Sequence, residues 1–339
     1  MKKSLNKINI HSALVTGADG FIGSNLVDHL VSHNIYVKCL VYYKDQLRWL
    51  SNRSEKIEIV TGDILELNSL YKIVQGVDVV FHLAGIVKSL KKKDFFDINV
   101  KGTENLLKVA VNNNPDLKRF FFMSSQAASG PSSNGVCVNE KHKCCPVTMY
   151  GRSKRDAEKI VLSYSDKIPV TIIRPSTVYG PRDKELFFIF DIVNKGIMPV
   201  IGLRERFFNF CYIDDLIKAT ILAAVHEKSI GQIYFIHSDQ KLSINQFIQA
   251  IVHGLNRKVV KLPIPLFLLK LYFLFNEFSA VMRKDDKIFT RDKYNELKQY
   301  NWICSIEKAE EEIGYRPDFI LAQGISNSIE WYKGQDWLL

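Results

Sequence analysis

The chain has 339 residues, of which 47% are hydrophobic and 24% are charged. This composition supplies enough apolar side chains for a packed core and excludes a globally disordered protein. The formal net charge of +10 predicts a basic surface, but the basic residues are scattered and no nucleic-acid motif accompanies them, so we expect no nucleic-acid partner.

Short apolar runs alternate with helical patterns through the first half of the chain. Residues 13–16 predict a buried strand, and residues 21–32 predict a helix because Ile22, Leu26 and Leu30 recur at helical spacing. The alternation continues with predicted strands at 35–41, 57–61, 78–83, 119–124 and 169–174 and predicted helices at 95–113 and 149–165. Such alternation predicts an α/β fold of the Rossmann type with a doubly wound parallel sheet.

The pattern changes in the second half of the chain. A loop at 175–183 precedes a helix predicted at 185–195, and Asp214 is expected to cap the helix that follows. Ser243 and Gln246 have the spacing of a capping box, and the remainder of the chain is predicted to be helical.

One apolar run, at residues 264–275, reads IPLFLLKLYFLF. It is too short to span a bilayer, and Pro265 and Lys270 interrupt it, so we expect no transmembrane segment. A buried helix is the favoured interpretation of this run, and a weak contact with a membrane surface is the alternative.

The cysteines and the N-terminus bear on metal binding and on location. None of the six cysteines belongs to a CxxC pair, and no histidine cluster accompanies Cys144 and Cys145, so we expect no metal site. The N-terminus lacks the apolar stretch of a secretory signal. Free thiols without such a signal predict a cytoplasmic protein.

A glycine-rich turn joins the first predicted strand to the first predicted helix. Gly17, Gly20 and Gly23 have the spacing G-x-x-G-x-x-G. In such turns the first glycine permits a tight exit from the strand, the second leaves room for a pyrophosphate, and the third allows close packing of helix on sheet. The first helical turn then offers N–H groups and a positive dipole to phosphates. The turn therefore predicts dinucleotide binding rather than a purely structural role.

Further motifs follow the glycine-rich turn in order. They are GDI at 62–64, FHLAG at 81–85, NVKGT at 99–103, SSQAASGP at 124–131, YGRSK at 150–154 and RPSTVYGPR at 174–182. Their order and spacing closely resemble the extended short-chain dehydrogenase/reductase superfamily, also called the NAD-dependent epimerase/dehydratase family. The resemblance runs from about residue 12 to the C-terminus, and segment 124–131 is most similar to 3β-hydroxysteroid dehydrogenases and dihydroflavonol reductases.

The resemblance and the change of pattern together imply two structural units. We expect an NAD(P)-binding Rossmann domain over 10–180, with return segments around 207–236, and a smaller, mostly helical substrate lobe over 181–206 and 237–339. The resemblance also implies a small-molecule substrate and a homodimer formed through the helices that begin near Phe95 and Met149.

The resemblance implies a bound NAD or NADP. Asp63 and Ile64 would flank the adenine, whereas His82 is expected to be structural. The second strand ends without the acidic residue that NAD-preferring enzymes usually place there, and Lys44 or Arg48 could face a 2′-phosphate, which favours NADP slightly. The residues expected to contact the cofactor are Gly17, Gly20, Phe21, Ile22, Gly23, Tyr42, Lys44, Asp63, Ile64, Leu83, Ala84, Gly85, Lys154 and Val178.

The candidate catalytic residues are Ser125, Tyr150 and Lys154. Tyr150 and Lys154 are four residues apart on a predicted helix, so their side chains share one face. A free tyrosine has a pKa of about 10, and a neighbouring ammonium together with an oxidised nicotinamide would lower it. Tyr150 is therefore the candidate acid/base. By the resemblance, Lys154 would also hold the nicotinamide ribose, and the Ser125 hydroxyl would bond the reacting oxygen.

These residues predict an NAD(P)-dependent oxidoreductase that moves a hydride between nicotinamide and a secondary alcohol or ketone. A nucleotide-sugar 4-epimerase is an alternative because it uses the same residues. A non-catalytic, cofactor-binding regulatory protein is a third hypothesis, which the retained tyrosine and lysine disfavour. Dehydration is disfavoured because Gln126 and Ala127 stand where sugar-nucleotide dehydratases carry an Asp-Glu pair.

A departure from the family pattern bears on the substrate. Sugar-nucleotide epimerases of this superfamily usually hold the diphosphate with an arginine seven residues before an Asp-Leu pair. The pair here begins at Asp215, and the residue seven positions earlier is Phe208. Arg206 is displaced by two positions, which on a strand is about 7 Å. Because a phenylalanine cannot pair with a dianion, we expect an uncharged or weakly polar alcohol or ketone as substrate.

Overall fold

The computed structural model describes residues 10–43, 47, 49–50, 54–133, 135–202, 204–238, 241–283 and 291–338. The strands of its central sheet are β1 (Ser12–Thr16), β2 (Tyr36–Val41), β3 (Ile57–Thr61), β4 (Val79–His82), β5 (Arg119–Met123), β6 (Val170–Pro175) and, after four short strands, β11 (Gln232–Ile236). Across the sheet the order is β3-β2-β1-β4-β5-β6-β11, and all pairings are parallel. This order confirms the predicted doubly wound, Rossmann-type sheet.

Short strands form three small sheets beside the central one. β7 (Thr177–Tyr179) pairs with β10 (Phe210–Tyr212), β8 (Ile197–Ile201) pairs with β13 (Val260–Ile264), and β9 (Phe207–Phe208) pairs with β12 (Leu242–Ser243) and β14 (Asn301–Trp302). The prediction of an entirely helical remainder is therefore wrong at β13 and β14. Each of these strands pairs with a segment distant in the chain, and local periodicity cannot reveal such pairing.

The helices largely follow the predicted pattern. They are α1 (Phe21–Ser32), α2 (Leu67–Leu70), α3 (Lys92–Phe96), α4 (Gly102–Asn113), α5 (Met149–Leu162), α6 (Phe187–Asn194), α7 (Ile213–Val225), α8 (Ile244–Leu255), α9 (Leu266–Arg283), α10 (Arg291–Leu297), α11 (Glu307–Ile313) and α12 (Leu321–Gly334). The helix expected at 95–113 is interrupted, because a π-helical segment at Asp97–Lys101 joins α3 to α4.

The two predicted helix caps have different outcomes. The capping box of Ser243 and Gln246 is confirmed at the start of α8. The prediction that Asp214 caps a helix is wrong: Tyr212 is the cap residue of α7, and Asp214 lies in the first turn. A carboxylate in that position still interacts favourably with the helix dipole.

The core lies on both faces of the central sheet. Because successive strand residues point to opposite faces, Val15 and Phe81 enter one buried cluster while Leu14 and Val80 enter the other. Helices α1 and α7 supply apolar residues to the first cluster, and α4 and α5 supply them to the second. The sheet is thus covered by helices on both sides, as a fully parallel sheet requires.

The apolar run at 264–275 is not buried as expected. It forms the end of β13 and the first half of α9, where Phe267 is 63% exposed and Phe275 is 71% exposed. Phe273, in contrast, is buried. The interpretation as a buried helix is wrong because α9 is apolar on both sides and only one side packs on protein. No helix among the described residues is long and apolar enough to cross a membrane.

Candidate active site

The predicted site residues follow the carboxyl ends of six neighbouring parallel strands. Gly17 follows β1, Tyr42 follows β2, Asp63 comes shortly after β3, Leu83 follows β4, and Ser125 comes two residues after β5. Val178 follows the end of β6 and lies within β7. The carboxyl ends of parallel strands meet at one edge of the sheet, and β1 and β4 flank the point at which the strand order reverses. That crevice is where such sheets bind ligands.

The glycine-rich turn has the geometry of a phosphate site. Gly17 adopts a φ of 68°, and a Cβ added to Gly23 would lie 2.1 Å from the Gly17 carbonyl oxygen, so neither position accepts a side chain. Gly20 is the cap residue of α1, and a glycine has no side chain with which to cap the helix. The N–H groups of Phe21, Ile22 and Gly23 in the first turn are therefore available to bind an anion at this end of the helix.

Tyr42, Asp63 and Ile64 lie at the β2–β3 side of the crevice. Tyr42 is exposed, and its pKa is raised by Tyr43 and by the Asp63 carboxylate. The Asp63 carboxylate accepts a hydrogen bond from the Leu65 N–H, and Ile64 is buried. Lys44 and Arg48, which suggested a 2′-phosphate, lie outside the described residues.

The loop after β4 is fixed by buried hydrogen bonds. His82 is fully buried, and its ring nitrogens lie 2.8 Å from Thr16 Oγ1 and 2.9 Å from Thr103 Oγ1. The expected structural role for this ring fits both contacts. Thr16 Oγ1 also accepts a hydrogen bond from the Ala84 N–H. A Cβ on Gly85 would lie 2.9 Å from Asn99 Oδ1, so this loop approaches its neighbours closely.

Tyr150 and Ser125 meet beside the end of β5. Burial raises the pKa of Tyr150 to about 12, although a hydrogen bond with the Ser125 side chain lowers it. The Ser125 hydroxyl oxygen also accepts a hydrogen bond from the Ala127 N–H at 3.1 Å. In the protein's own groups, burial of the phenolate thus outweighs the favourable interactions. The lowering of the tyrosine pKa by the lysine together with an oxidised nicotinamide stays a prediction.

Lys154 lies one helical turn beyond Tyr150 and is buried. Its Nζ donates to the Met123 carbonyl oxygen at 2.8 Å and lies 4.7 Å from the centre of the Phe122 ring. Burial lowers the pKa of Lys154 to about 8, whereas Glu158 raises it. A Cβ on Gly85 would lie 3.4 Å from the same Nζ, so Lys154 reaches the loop that is predicted to line the cofactor.

A buried ion pair supports this part of the sheet. Glu158 of α5 accepts hydrogen bonds from Arg174 at 2.8 and 2.6 Å and from the Ser124 hydroxyl at 2.5 Å. The pair ties α5 to β6, and the Ser124 hydroxyl ties Glu158 to the end of β5. Removing one partner of such a buried pair costs about 3–5 kcal/mol.

Two further residues orient the candidate catalytic helix, and the sequence singled out neither. Asn99 donates to the Ser153 hydroxyl at 2.9 Å and exchanges hydrogen bonds with the Ile86 backbone. Asp292 of α10 accepts hydrogen bonds from the N–H groups of Met149 and Tyr150 at 2.7 and 3.2 Å. Asn99 falls within the NVKGT motif, so the sequence indicated the segment but not this residue. No local pattern links Asp292 to α5.

A mainly apolar cavity of about 540 Å³ lies next to α10, the helix whose Asp292 binds the start of α5. Lys293, Glu296 and Leu297 of α10 line the cavity. Thr177, directly before Val178, lines it as well. The other walls are mainly apolar and include Phe188, Ile189, Ile192, Phe208, Phe210, Phe247, Ile248, Leu268, Leu269 and Phe273.

Arg206 is committed to the protein backbone. Its guanidinium donates to the carbonyl oxygens of Leu297, Ile201 and Arg204 at 2.9, 2.8 and 3.0 Å, and the residue is buried. Phe208, two residues later, lines the cavity. The arginine that the sequence left as a candidate diphosphate ligand therefore has its Nε and Nη1 donors occupied by carbonyl groups.

The residues at the sheet edge fit a dinucleotide. The start of α1 suits phosphates, Gly17 and Gly23 leave no space for side chains, and Lys154 lies beside Gly85 in the loop after β4. The individual contacts of Gly17, Gly20, Phe21, Ile22, Gly23, Tyr42, Asp63, Ile64, Leu83, Ala84, Gly85, Lys154 and Val178 with a cofactor stay predictions, as does catalysis by Ser125, Tyr150 and Lys154.

Comparisons with known proteins extend these observations. Residues 13–236 match the model of the NAD dependent epimerase/dehydratase family. A UDP-glucose 4-epimerase from Vibrio cholerae is 26% identical, with 94% of each chain covered. A 3 beta-hydroxysteroid dehydrogenase/Delta 5-->4-isomerase from Mycobacterium tuberculosis is 27% identical over 94% of this chain and 90% of the relative.

A solved structure shares the fold. UDP-glucuronic acid 4-epimerase from Bacillus cereus, in complex with NAD, superposes with a TM-score of 0.77 at 24% identity, covering 96% of this chain and 99% of the other. The similar proteins include both nucleotide-sugar epimerases and steroid dehydrogenases, so similarity alone does not select a substrate.

Proposed function

Because this chain belongs to the NAD-dependent epimerase/dehydratase family, we propose that it is a nicotinamide-dependent oxidoreductase acting on a secondary alcohol or ketone of a weakly polar substrate. The observation that carries the substrate class is the mainly apolar cavity of about 540 Å³ that is lined in part by α10, the helix that binds the start of α5. Its volume is in the range of small-molecule sites. The phenylalanine, leucine and isoleucine side chains of the lining offer a diphosphate no hydrogen bonds, and Lys293, the basic residue of the lining, is already paired with Glu296, so burying a diphosphate here is costly.

The protein's own residues divide the chemistry among them. When bound, the nicotinamide supplies or accepts the hydride. Tyr150, whose pKa is raised to about 12, is a protonated phenol at neutral pH and can donate its proton to the oxygen of a ketone. Ser125 adds a hydroxyl donor to the same oxygen. Lys154, fixed by the Met123 carbonyl, contributes positive charge near Tyr150 and a hydrogen bond for the ribose.

We propose NAD as the cofactor. The slight preference for NADP that the second strand suggested has no support in the comparisons, which include a solved epimerase with NAD. The Asp63 carboxylate is close enough to Tyr42 to contribute to its raised pKa, after the larger effect of Tyr43. A carboxylate at this side of the crevice would repel a 2′-phosphate.

A nucleotide-sugar 4-epimerase is the second candidate, because relatives with that activity cover nearly the whole chain. An epimerase uses the same tyrosine, serine and lysine. The backbone hydrogen bonds of Arg206 and the position of Phe208 in the cavity wall disfavour this candidate. A regulatory protein without turnover has no specific observation in its favour.

The proposal is tested by turnover of purified protein with NAD and a panel of secondary alcohols and ketones, from short aliphatic to sterol-like. We expect a change in cofactor redox state with apolar members of the panel. The variant Tyr150→Phe should lose turnover by about 10²–10⁴-fold while its affinity for NAD is nearly unchanged, since only the transferable proton is removed. Lys154→Ala should weaken both.

Calorimetry with UDP separates the two candidates. We expect no binding of UDP and tighter binding of NAD than of NADP. Micromolar UDP binding that competes with substrate, with cofactor retained and no net redox change, would establish the epimerase instead. Turnover by Tyr150→Phe at the wild-type rate would contradict the acid/base role.

A further inference from the structure

The outward face of α9 is apolar and exposed. Phe267, Leu268, Leu271, Tyr272 and Phe275 are each between 47% and 71% exposed. At about 100° per residue, these five positions fall within an arc of about 140° on one side of the helix. They define the α9 face. The opposite side, with Phe273 buried, packs on the protein.

The segment that carries the α9 face is basic. Residues 257–283, which include β13 and all of α9, contain five basic residues and one acidic residue, Glu277; the basic residues are Arg257, Lys258, Lys261, Lys270 and Arg283. Lys258, Lys261 and Lys270 are all exposed, and at about 100° per residue Lys270 lies beside the apolar arc on α9. An apolar helix face flanked by lysines is the composition of a helix that lies in the interface of an anionic bilayer.

The charge also distinguishes a bilayer from a second copy of the chain. A symmetric dimer through the α9 face would bring the same basic segment of each copy to one interface. Like charges would then be desolvated together, because residues 257–283 carry five basic residues against the single acidic residue Glu277. An anionic lipid surface offers the opposite charge and an apolar interior at the same time.

We propose that the α9 face docks on the surface of a bilayer containing anionic lipids, with its phenylalanine and leucine side chains inserted below the headgroups. The contact is interfacial, because the other side of α9 packs on the protein. Leu268 and Tyr272 belong to this face and also line the apolar cavity. Docking therefore places the cavity wall against the lipid phase. The proposal concerns where the protein binds and does not depend on the reaction.

The test is flotation of the purified full-length protein with vesicles of phosphatidylcholine alone or mixed with phosphatidylglycerol. We expect binding to the mixed vesicles that weakens at high salt, and little binding to phosphatidylcholine alone. The variant Phe267→Ser/Leu271→Ser/Phe275→Ser should reduce the partition coefficient by about tenfold or more. These three residues do not line the cavity, so NAD affinity should be unchanged.

Two further variants test the contribution of the lysine charges and the specificity of the serine substitutions. Lys261→Gln/Lys270→Gln should remove most of the salt-sensitive part of binding. Ile320→Ser, at a residue 69% exposed outside the α9 face, is the matched control and should bind vesicles like the wild type. Absence of binding to the mixed vesicles, or equal binding by the triple-serine variant, would overturn the proposal. A wild-type dimer in sedimentation that the triple-serine variant converts to monomer, without vesicle binding, would assign the face to a second copy.

Discussion

Burial acts on Tyr150 and Lys154 in the same sense, toward the uncharged form of each side chain. It raises the pKa of the phenol to about 12 and lowers the pKa of the amine to about 8. At neutral pH the tyrosine therefore keeps its proton, and the lysine is still mostly an ammonium ion. This arrangement suits donation of a proton to a ketone, whereas oxidation of an alcohol requires the tyrosine proton to leave first.

We expect carbonyl reduction to slow as the pH rises through about 8. The charged form of Lys154 exists below its pKa, so its positive charge beside Tyr150 is lost above this value. Tyr150 stays protonated up to about pH 12, so it adds no second change to the pH profile of kcat/KM. The measurement is kcat/KM for reduction between about pH 6 and pH 10. Lys154→Arg, which stays charged throughout, should lose the decline near pH 8. A flat wild-type profile would contradict this assignment.

The close approach of α5 to the turn after β5 brings Tyr150 to Ser125. Gly151 makes this approach possible, because a Cβ at that position would lie 2.3 Å from the Ala127 carbonyl oxygen. The motif at 150–154 contains this glycine. The need for a glycine there follows from the contact between α5 and the turn, which the sequence alone does not show.

Gly151→Ala should therefore separate the two candidate catalytic side chains. We expect turnover to fall by about tenfold or more and the free energy of unfolding to fall by about 1–3 kcal/mol, as in other overpacked sites. Steady-state kinetics and urea unfolding measure the two effects. Gly334→Ala is the matched control, since an added Cβ in that helical position meets no atom within 4 Å. Wild-type turnover in Gly151→Ala would show that the approach is not needed.

The sequence predicted β1 to β6 well because most of these strands are continuous apolar runs: β3 has its predicted bounds, and each of the others differs by at most one residue at either end. It failed where the outcome depends on distant segments. β13 forms by pairing with β8, and α9 is exposed because no other part of the described chain covers its outward side. An apolar run carries the same pattern whether it is buried or exposed, so periodicity could not decide between them.

Helix α10 joins the C-terminal part of the chain to the candidate catalytic helix. It lines the cavity, accepts a hydrogen bond from Arg206 through the Leu297 carbonyl, and presents Asp292 to the start of α5. The motifs predicted the glycine-rich turn and the Tyr150–Lys154 pair because these lie within short stretches. Asp292 is 142 residues from Tyr150, and only the folded chain relates them.

Asp292 should act as a positioning residue for Tyr150. Its carboxylate accepts the Met149 and Tyr150 N–H groups, alongside Thr148, whose hydroxyl accepts the Gly151 N–H. Asp292→Ala removes the carboxylate oxygen that accepts both hydrogen bonds at this helix start, so we expect a loss of about 1–2 kcal/mol in unfolding free energy. We expect kcat to fall about tenfold with little change in NAD affinity, because the phenol is displaced while the dinucleotide crevice is intact.

Asp292→Asn separates positioning from charge. The amide retains an oxygen acceptor for the same two N–H groups, so this variant should recover most of the stability and most of the kcat that Asp292→Ala loses. If positioning is the role, neither variant shifts the pH at which reduction slows, since that pH belongs to Lys154. A purely structural role would lower stability in Asp292→Ala while the folded fraction kept its full kcat. A shifted pH profile in Asp292→Asn would instead assign the carboxylate charge a direct part in the titration of the Tyr150–Lys154 pair.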